Sequence, residues 1–191
     1  MSKVFITKKE SEFALELAAA FEKNGHEVVF EPQAGVEYFI DVTDETVAGD
    51  DKKVGEGLDA EAAALAYRKN VCEPIALLEK TLPGMVGKKR ICFINTVRAS
   101  VNWSEETAGY GHNMSKAALN QILVLTKNGL IEQGFTFRLF DPMAGRVSAQ
   151  KAAGSAYVYF TRDRFRDGDN LFRMDERNLV VRDALGREIP W

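Results

Sequence analysis

Two residues four positions apart, His112 and Lys116, are the side chains in this sequence best placed to do chemistry. An imidazole exchanges protons near neutral pH because its ordinary pKa is about 6.5. A lysine ammonium beside it favours the neutral ring, the form able to take up a proton. Arg98 lies in the loop before them. Together the three would make a cationic cleft able to hold a carboxylate or phosphate. Each has a plainer alternative. A position that no longer moves protons drifts, which would leave the histidine without a role. Lys116 reads equally as a solvated lysine in a first helical turn, and Arg98 as a loop arginine paired to Glu105 or Glu106. His26 and His112 are the only histidines and lie far apart in sequence, so no His-based metal site is expected. Cys72 and Cys92 make no disulfide framework and read as buried thiols, one in a helix and one in a strand. Asp41, Asp44, Glu45, Asp50 and Asp51 form an acidic loop, read as solvated surface rather than as a cation site.

The elements that must position these groups belong to one domain over residues 1–191. The chain carries 25 Lys+Arg against 28 Asp+Glu, a formal charge of -3, so no basic field points to nucleic acid. A hydrophobic fraction of 46% with 28% charged residues excludes disordered and fibrous classes. No apolar run approaches the ~18 residues of a membrane helix. The amino-terminal segment lacks the apolar core of a signal peptide, so a cytoplasmic protein is expected.

Val4-Phe5-Ile6 reads as a short strand, 13–23 as a helix ended by Asn24-Gly25, and Glu27 to Phe30 as a second strand. That opening is a βαβ unit, which predicts a parallel sheet. Tyr38-Phe39-Ile40 is a third strand, and an acidic, Gly-rich loop follows over 43–57. A helix is predicted from Leu58 to about Leu82, with a kink or break at Pro74. Further strands fall at Arg90 to Asn95 and Thr136 to Phe140, with helices at 113–132 and about 148–157. Residues 179–181 and 187–189 read as a hairpin. The Arg/Asp-alternating stretch from Asp163 to Asp175 reads as an exposed arm or a lid. The alternation of strands and helices argues an α/β, doubly wound sheet.

Several segments in the right order carry a resemblance. These are Lys3 to Thr7, Asn24 to Val29, Asn70-Val71-Cys72-Glu73-Pro74, Arg90 to Asn95, Met114 to Asn120, Leu139 to Pro142 and Gly186 to Trp191. They resemble the short-chain dehydrogenase/reductase family, in its carbonyl-reductase-like and C-factor-like branch. The resemblance implies a Rossmann-like, mostly parallel sheet flanked by helices. It also implies a catalytic set of Tyr, Lys, Ser and Asn. Lys116 stands at the Lys position, Asn70 at the Asn position, and His112 at the Tyr position. Tyr110 is two residues too early. The Ser position reads as Arg98, with Ser100 available only in a shifted register. Asn70, His112 and Lys116 are therefore the candidate catalytic residues, with a helix-surface or kink-capping role as the alternative for Asn70.

The sequence departs from the family pattern at the cofactor. The glycine-rich phosphate turn is replaced by Thr7-Lys8-Lys9-Glu10-Ser11-Glu12-Phe13-Ala14, with Lys8, Glu12 and Ala14 where the glycines stand. A Cβ there obstructs the approach of a pyrophosphate, and Glu10 and Glu12 repel it. The family's Asn-Asn-Ala-Gly is replaced by Asp41-Val42-Thr43-Asp44. About one β-α unit is missing after Phe30, on the adenine side of the crevice. No cofactor is therefore expected. A degenerate relative without conventional NAD(P)-dependent activity follows, serving as an assembly partner or a small-ligand binder. Assembly would be homo-oligomeric through the helices near 58–82 and 113–132, or hetero-oligomeric with an active paralogue. Neither nucleic acid nor membrane is an expected partner. The alternatives are an NAD- or NADP-dependent oxidoreductase acting on a small carbonyl or alcohol, and a cofactor-free acid–base enzyme using His112 and Lys116.

Overall fold

A computed structural model describes residues 1–53, 55–162 and 179–191. Side chains of the first strand already define two layers. Val4 and Ile6 enter one buried cluster and Phe5 the other, because successive residues of a strand point to opposite faces. The strands are β1 (Lys3–Ile6), β2 (Glu27–Val29), β3 (Val36–Asp41), β4 (Arg90–Ile94), β5 (Thr136–Asp141), β6 (Val181–Asp183) and β7 (Glu188–Ile189). They form one sheet in the order β2-β1-β3-β4-β5-β6-β7. Every neighbouring pair is parallel except β6 with β7. The helices are α1 (Glu12–Lys23), α2 (Ala60–Tyr67), α3 (Glu73–Thr81), α4 (Tyr110–Leu130) and α5 (Ala149–Thr161). α1 and α5 cover one face, closing a core around Leu17, Phe21, Ala156 and Phe160. α3 and α4 cover the other through Leu78, Leu119 and Leu123. This is the Rossmann-like α/β sheet that the sequence pattern predicts.

The shortening after β2 has a simple geometry. β2 ends at the level of Phe5 and β3 begins at the level of Lys3. Residues 30–35 therefore retreat by about two residues of rise while passing from one flank of β1 to the other. Parallel neighbours usually need a crossover of about a dozen residues. Here β2 is so short that a helix-free return suffices.

The helix predicted over 58–82 is two helices. A single π-helical turn, Arg68–Cys72, joins α2 to α3, and the Glu73 N–H reaches back five residues to the Arg68 carbonyl. Pro74 accounts for it, since proline donates no N–H and its ring crowds the carbonyl four residues earlier. The wider turn carries Asn70 and Val71 inward and leaves Cys72 exposed, contrary to its reading as a buried thiol. Cys92 is buried, and burial pushes its thiol up to about 12.

The terminal hairpin forms as expected in its second strand, but its first strand starts two residues later, at Val181. Val181 pairs with Ile189 and Arg182 with Glu188. Asp183 sets the turn by accepting the Leu185 and Arg187 N–H groups at 2.9 and 2.8 Å. The predicted arm at 163–175 lies outside the described residues. Among the described residues, no helix is long and apolar enough to cross a membrane.

Candidate functional site

Open parallel sheets bind ligands at the carboxyl ends of their strands, where the strand order reverses. Here the reversal falls between β1 and β3, because β2 lies on one side of β1 and β3 on the other. That crevice is filled by this chain's own side chains. Asp41 ends β3 with no exposure to solvent. Its carboxylate accepts the Thr7 and Thr43 hydroxyls, each at 2.8 Å, and the Thr43 N–H at 3.3 Å. Burial pushes the Asp41 carboxyl above its ordinary range, against the opposing pull of Lys116 and these hydrogen bonds. Above it, Lys8 in the turn after β1 is ion-paired to Glu45 in the loop after β3. The Lys8 hydrogen bond, outweighing partial burial, holds the Glu45 carboxyl below its usual range. The amino-terminus of α1 is likewise occupied, for Ser11 accepts the Ala14 N–H at 3.1 Å as its N-cap.

Asn70 fixes the same loop from below. The π turn aims it inward. It accepts the Glu45 N–H and donates to the Glu45 carbonyl, both at 2.8 Å, and reaches Ser115 Oγ at 3.1 Å. A side-chain amide pairing both polar groups of one residue imitates a strand partner, so it anchors the loop's backbone.

The first turn of α4 is built by a residue far away in sequence. Its N-cap, Gly109, has φ of 75° and no side chain to offer. Asp50 supplies the cap instead, accepting the Gly111 N–H at 2.5 Å and the His112 N–H at 2.7 Å. Gly111 permits the close approach of α4 to α2, since a Cβ there would lie 2.7 Å from Ala63 Cα. His112 is thereby set with Nε2 at 2.8 Å from Asp44 Oδ1. Lys116, one turn on, has no solvent exposure. Its ammonium donates to the Thr43 and Ile94 carbonyls at 2.8 and 3.2 Å and lies 3.6 Å from Asp44 Oδ1. Burial raises the Asp44 pKa, but the His112 hydrogen bond and the Lys116 charge outweigh it and hold this carboxyl below the usual range.

Asp44 and His112 form one wall of a cleft of about 530 Å³. The remaining walls come from the loops after β4 and β5 and from the β6–β7 hairpin. Asp141, which ends β5, ties two of these loops together by accepting the Val97 N–H at 2.8 Å and the Met143 N–H at 2.7 Å. Burial pushes its carboxyl upward despite those bonds, and the nearby Asp183 and Asp44 charges add to the effect. The cleft is not the cationic one that His112, Lys116 and Arg98 together would make, and Arg98 takes the Glu106 pairing read as its plainer alternative. Arg98 Nε is 2.9 Å from Glu106, and Lys116 lies beneath the wall rather than in it.

The structure thus brings Asn70, His112 and Lys116 into one neighbourhood in different settings. His112 lines the cleft, Lys116 supports Asp44 from behind, and Asn70 holds the loop that carries Asp44 and Glu45. Ser100 is buried, and its Oγ accepts the Asn102 and Trp103 N–H groups at 3.2 and 3.0 Å. The acidic loop is mostly not solvated surface. Asp41 and Asp50 are buried, and Asp44 and Glu45 are each ion-paired. Asp44, Asp50 and Asp141 are the site residues that the sequence left unassigned. One signal pointed at Asp44 and Asp141: both stand at or just past the carboxyl end of a predicted strand. Among the described residues, no group of His, Cys, Asp and Glu is arranged to hold a metal ion.

No family model matches the chain. A Saccharomyces cerevisiae protein named as an uncharacterized oxidoreductase is 28% identical over 126 residues, 65% of this chain and 48% of that protein. The chain spans about half the length of this curated relative. A carbonyl reductase from Pseudomonas aeruginosa in complex with NADP superposes with a TM-score of 0.78 at 16% identity, covering 100% of both chains. The carbonyl reductase Sniffer of D. melanogaster superposes at 0.79 and 13%, again covering 100% of both. With the sheet order, the flanking helices and these superpositions in agreement, the chain has the fold of the short-chain dehydrogenases and carbonyl reductases.

Proposed function

We propose that this chain is a degenerate relative of the short-chain dehydrogenases/reductases, without conventional NAD(P)-dependent activity, serving as a small-ligand binder that assembles with a second subunit. The observation that carries this reading is the occupied crevice between β1 and β3. A dinucleotide needs glycines that let backbone approach its pyrophosphate, and a free helix amino-terminus to receive the charge. Here the Lys8–Glu45 pair spans the gap, Ser11 caps α1, and Thr7, Asp41 and Thr43 bond to one another. The residues present do not fit NAD or NADP. The neighbouring cleft remains as the ligand site. NADP appears with the Pseudomonas aeruginosa neighbour, and an oxidoreductase reading of this chain draws on that likeness, on the second carbonyl-reductase superposition and on the Saccharomyces cerevisiae relative named as an oxidoreductase.

Assembly through the helices read at 58–82 and 113–132 draws support from apolar side chains left on the surface there. Leu65 on α2, and Met114 and Leu125 on α4, are 40%, 50% and 60% exposed. Exposed leucines scattered singly are ordinary, and assembly here requires these side chains to act as one continuous apolar surface. A second reading is cofactor-free acid–base chemistry, favoured by the 2.8 Å contact of His112 with Asp44 on the cleft wall.

Two measurements test the proposal. Sedimentation equilibrium should give a dimer that Leu125→Glu dissociates. Incubation with NADPH or NADH and a panel of small aldehydes and ketones should give no oxidation of the cofactor. Sustained carbonyl-dependent oxidation by the pure protein would overturn it.

A further inference from the structure

We propose that the cleft beside β4, β5 and β6 binds a small organic amine with an apolar tail, its ammonium resting on Asp44. The inference rests on the reading of that cleft as a small-ligand site. Asp44 uses one oxygen for both of its supports. Oδ1 meets His112 Nε2 at 2.8 Å and the Lys116 ammonium at 3.6 Å, while Oδ2 has no hydrogen-bond partner among the described residues. The side chain is 37% exposed, and Asp44 is a lining residue of the cleft. A carboxylate oxygen without a donor, on a residue held in place from behind, suits an incoming N–H⁺. His112 is the reverse case. Its Nε2 is taken by Asp44 and its Nδ1 faces Asn113 Oδ1 at 3.4 Å, so the ring positions Asp44 rather than meeting a ligand.

The other charges of the cleft do not favour an anion. Arg98 is paired with Glu106 at 2.9 Å and Arg187 with Asp183 at 2.7 Å. Arg146 alone among the lining arginines has no ion pair among the described residues, and it is exposed on the rim. The walls are partly apolar, with Val97, Trp103, Met143 and Ile189. A volume of about 530 Å³ falls within the range of small-molecule sites and leaves ample room for a short amine. A charged head on Asp44 with a short hydrocarbon or aromatic body against Trp103 and Met143 satisfies both kinds of wall.

The test compares n-butylamine, sodium butyrate and 1-butanol at matched ionic strength and pH 7, read by thermal unfolding. The amine should raise the midpoint by about 2–4 °C once it exceeds its dissociation constant severalfold. Neither other compound should raise it, and Asp44→Asn should lose the amine's effect. A binding readout in a chain that keeps Asp44 guards against an unstable Asp44→Asn variant. With Trp191→Phe, Trp103 is the sole tryptophan, and its fluorescence should change saturably with the amine alone. Stabilisation by butyrate that Arg146→Gln abolishes would overturn the amine assignment while keeping a ligand-binding cleft. No response to any of the three overturns the amine proposal, while the reading of a chain without dinucleotide chemistry stands or falls on cofactor turnover.

Discussion

The carboxyl edge of the sheet has two halves, and they have taken opposite courses. Between β1 and β3, polar side chains at the strand ends are bonded to other parts of the chain: Thr7 and Thr43 to Asp41, Lys8 to Glu45, Ser11 to α1. Beyond β4, the loops stand apart around a cleft of about 530 Å³, and Asp44 presents an oxygen to it. On the function proposed here, the first half is a site converted to structure, and the second is a structure that still presents a site. Polar residues at strand ends mark a ligand site only where the chain has not satisfied them itself. The difference lies in a few side chains, since both halves share one sheet and one set of flanking helices.

The packing that holds the two halves together gives the largest expected effect. Gly111→Val places side-chain atoms where Ala63 Cα already lies 2.7 Å from an added Cβ. Urea unfolding should show a loss of about 3 kcal/mol or more, the upper end for overpacking, because the obstructing atom is backbone. Asn70→Ala should come next, at about 1–3 kcal/mol, because it leaves the Glu45 N–H and carbonyl without their partner, while the Ser115 hydroxyl keeps its bond to the His112 carbonyl. Hydrogen exchange sharpens this, since the Glu45 amide should lose protection more than amides of α5.

Titration separates one carboxylate of each half, Asp41 and Asp44, by sign. Asp41 has a raised pKa, so the folded state holds its proton more tightly than the unfolded chain does. The stability it contributes is present below its ordinary value of 3.8 and is lost as pH rises through the raised value. Asp44 has a lowered pKa. Its contribution is present above 3.8 and is lost as pH falls through the lowered value. Stability differences between wild type and Asp41→Asn, and between wild type and Asp44→Asn, should therefore change in opposite directions with pH. Parallel slopes would break the comparison. The smallest effect belongs to Lys8→Ala. Lys8 and Glu45 are about one-third exposed or more, so their pair should contribute under about 1 kcal/mol, and less in high salt.

Much of the sheet was legible in advance because short apolar runs between Gly, Pro and acidic turns leave little choice of element. Val4 to Ile6, Arg90 to Ile94 and Thr136 to Phe140 fell where the pattern put them, and Pro74 announced the break between α2 and α3. Only the hairpin's first strand was misplaced, by two residues, because the turn is set by Asp183, whose bonds to later N–H groups leave no mark on hydrophobic periodicity. The site was legible only in part. His112 and Lys116 stood out through their residue types and spacing. Asp44 and Asp50 were hidden in a loop whose composition matches solvated surface. Their partners, His112 and Gly111, are about sixty residues or more away in sequence. Contacts of that range follow from the fold and not from any local pattern.

His112→Tyr offers a further check on the closed half. Restoring a phenol four residues before Lys116 should produce no NADPH-dependent reduction, because the obstruction lies at Lys8, Ser11 and Glu45. The central claim is that this crevice no longer accepts a dinucleotide, and the thermal midpoint of the pure protein tests it most directly. Measured with millimolar NAD, NADP, NADH and NADPH in turn, the midpoint should stay within experimental error of the ligand-free value. A ligand at about 100 times its dissociation constant stabilises by about 2.7 kcal/mol, which moves the midpoint by several degrees. A rise of that size with any one of the four would contradict the account.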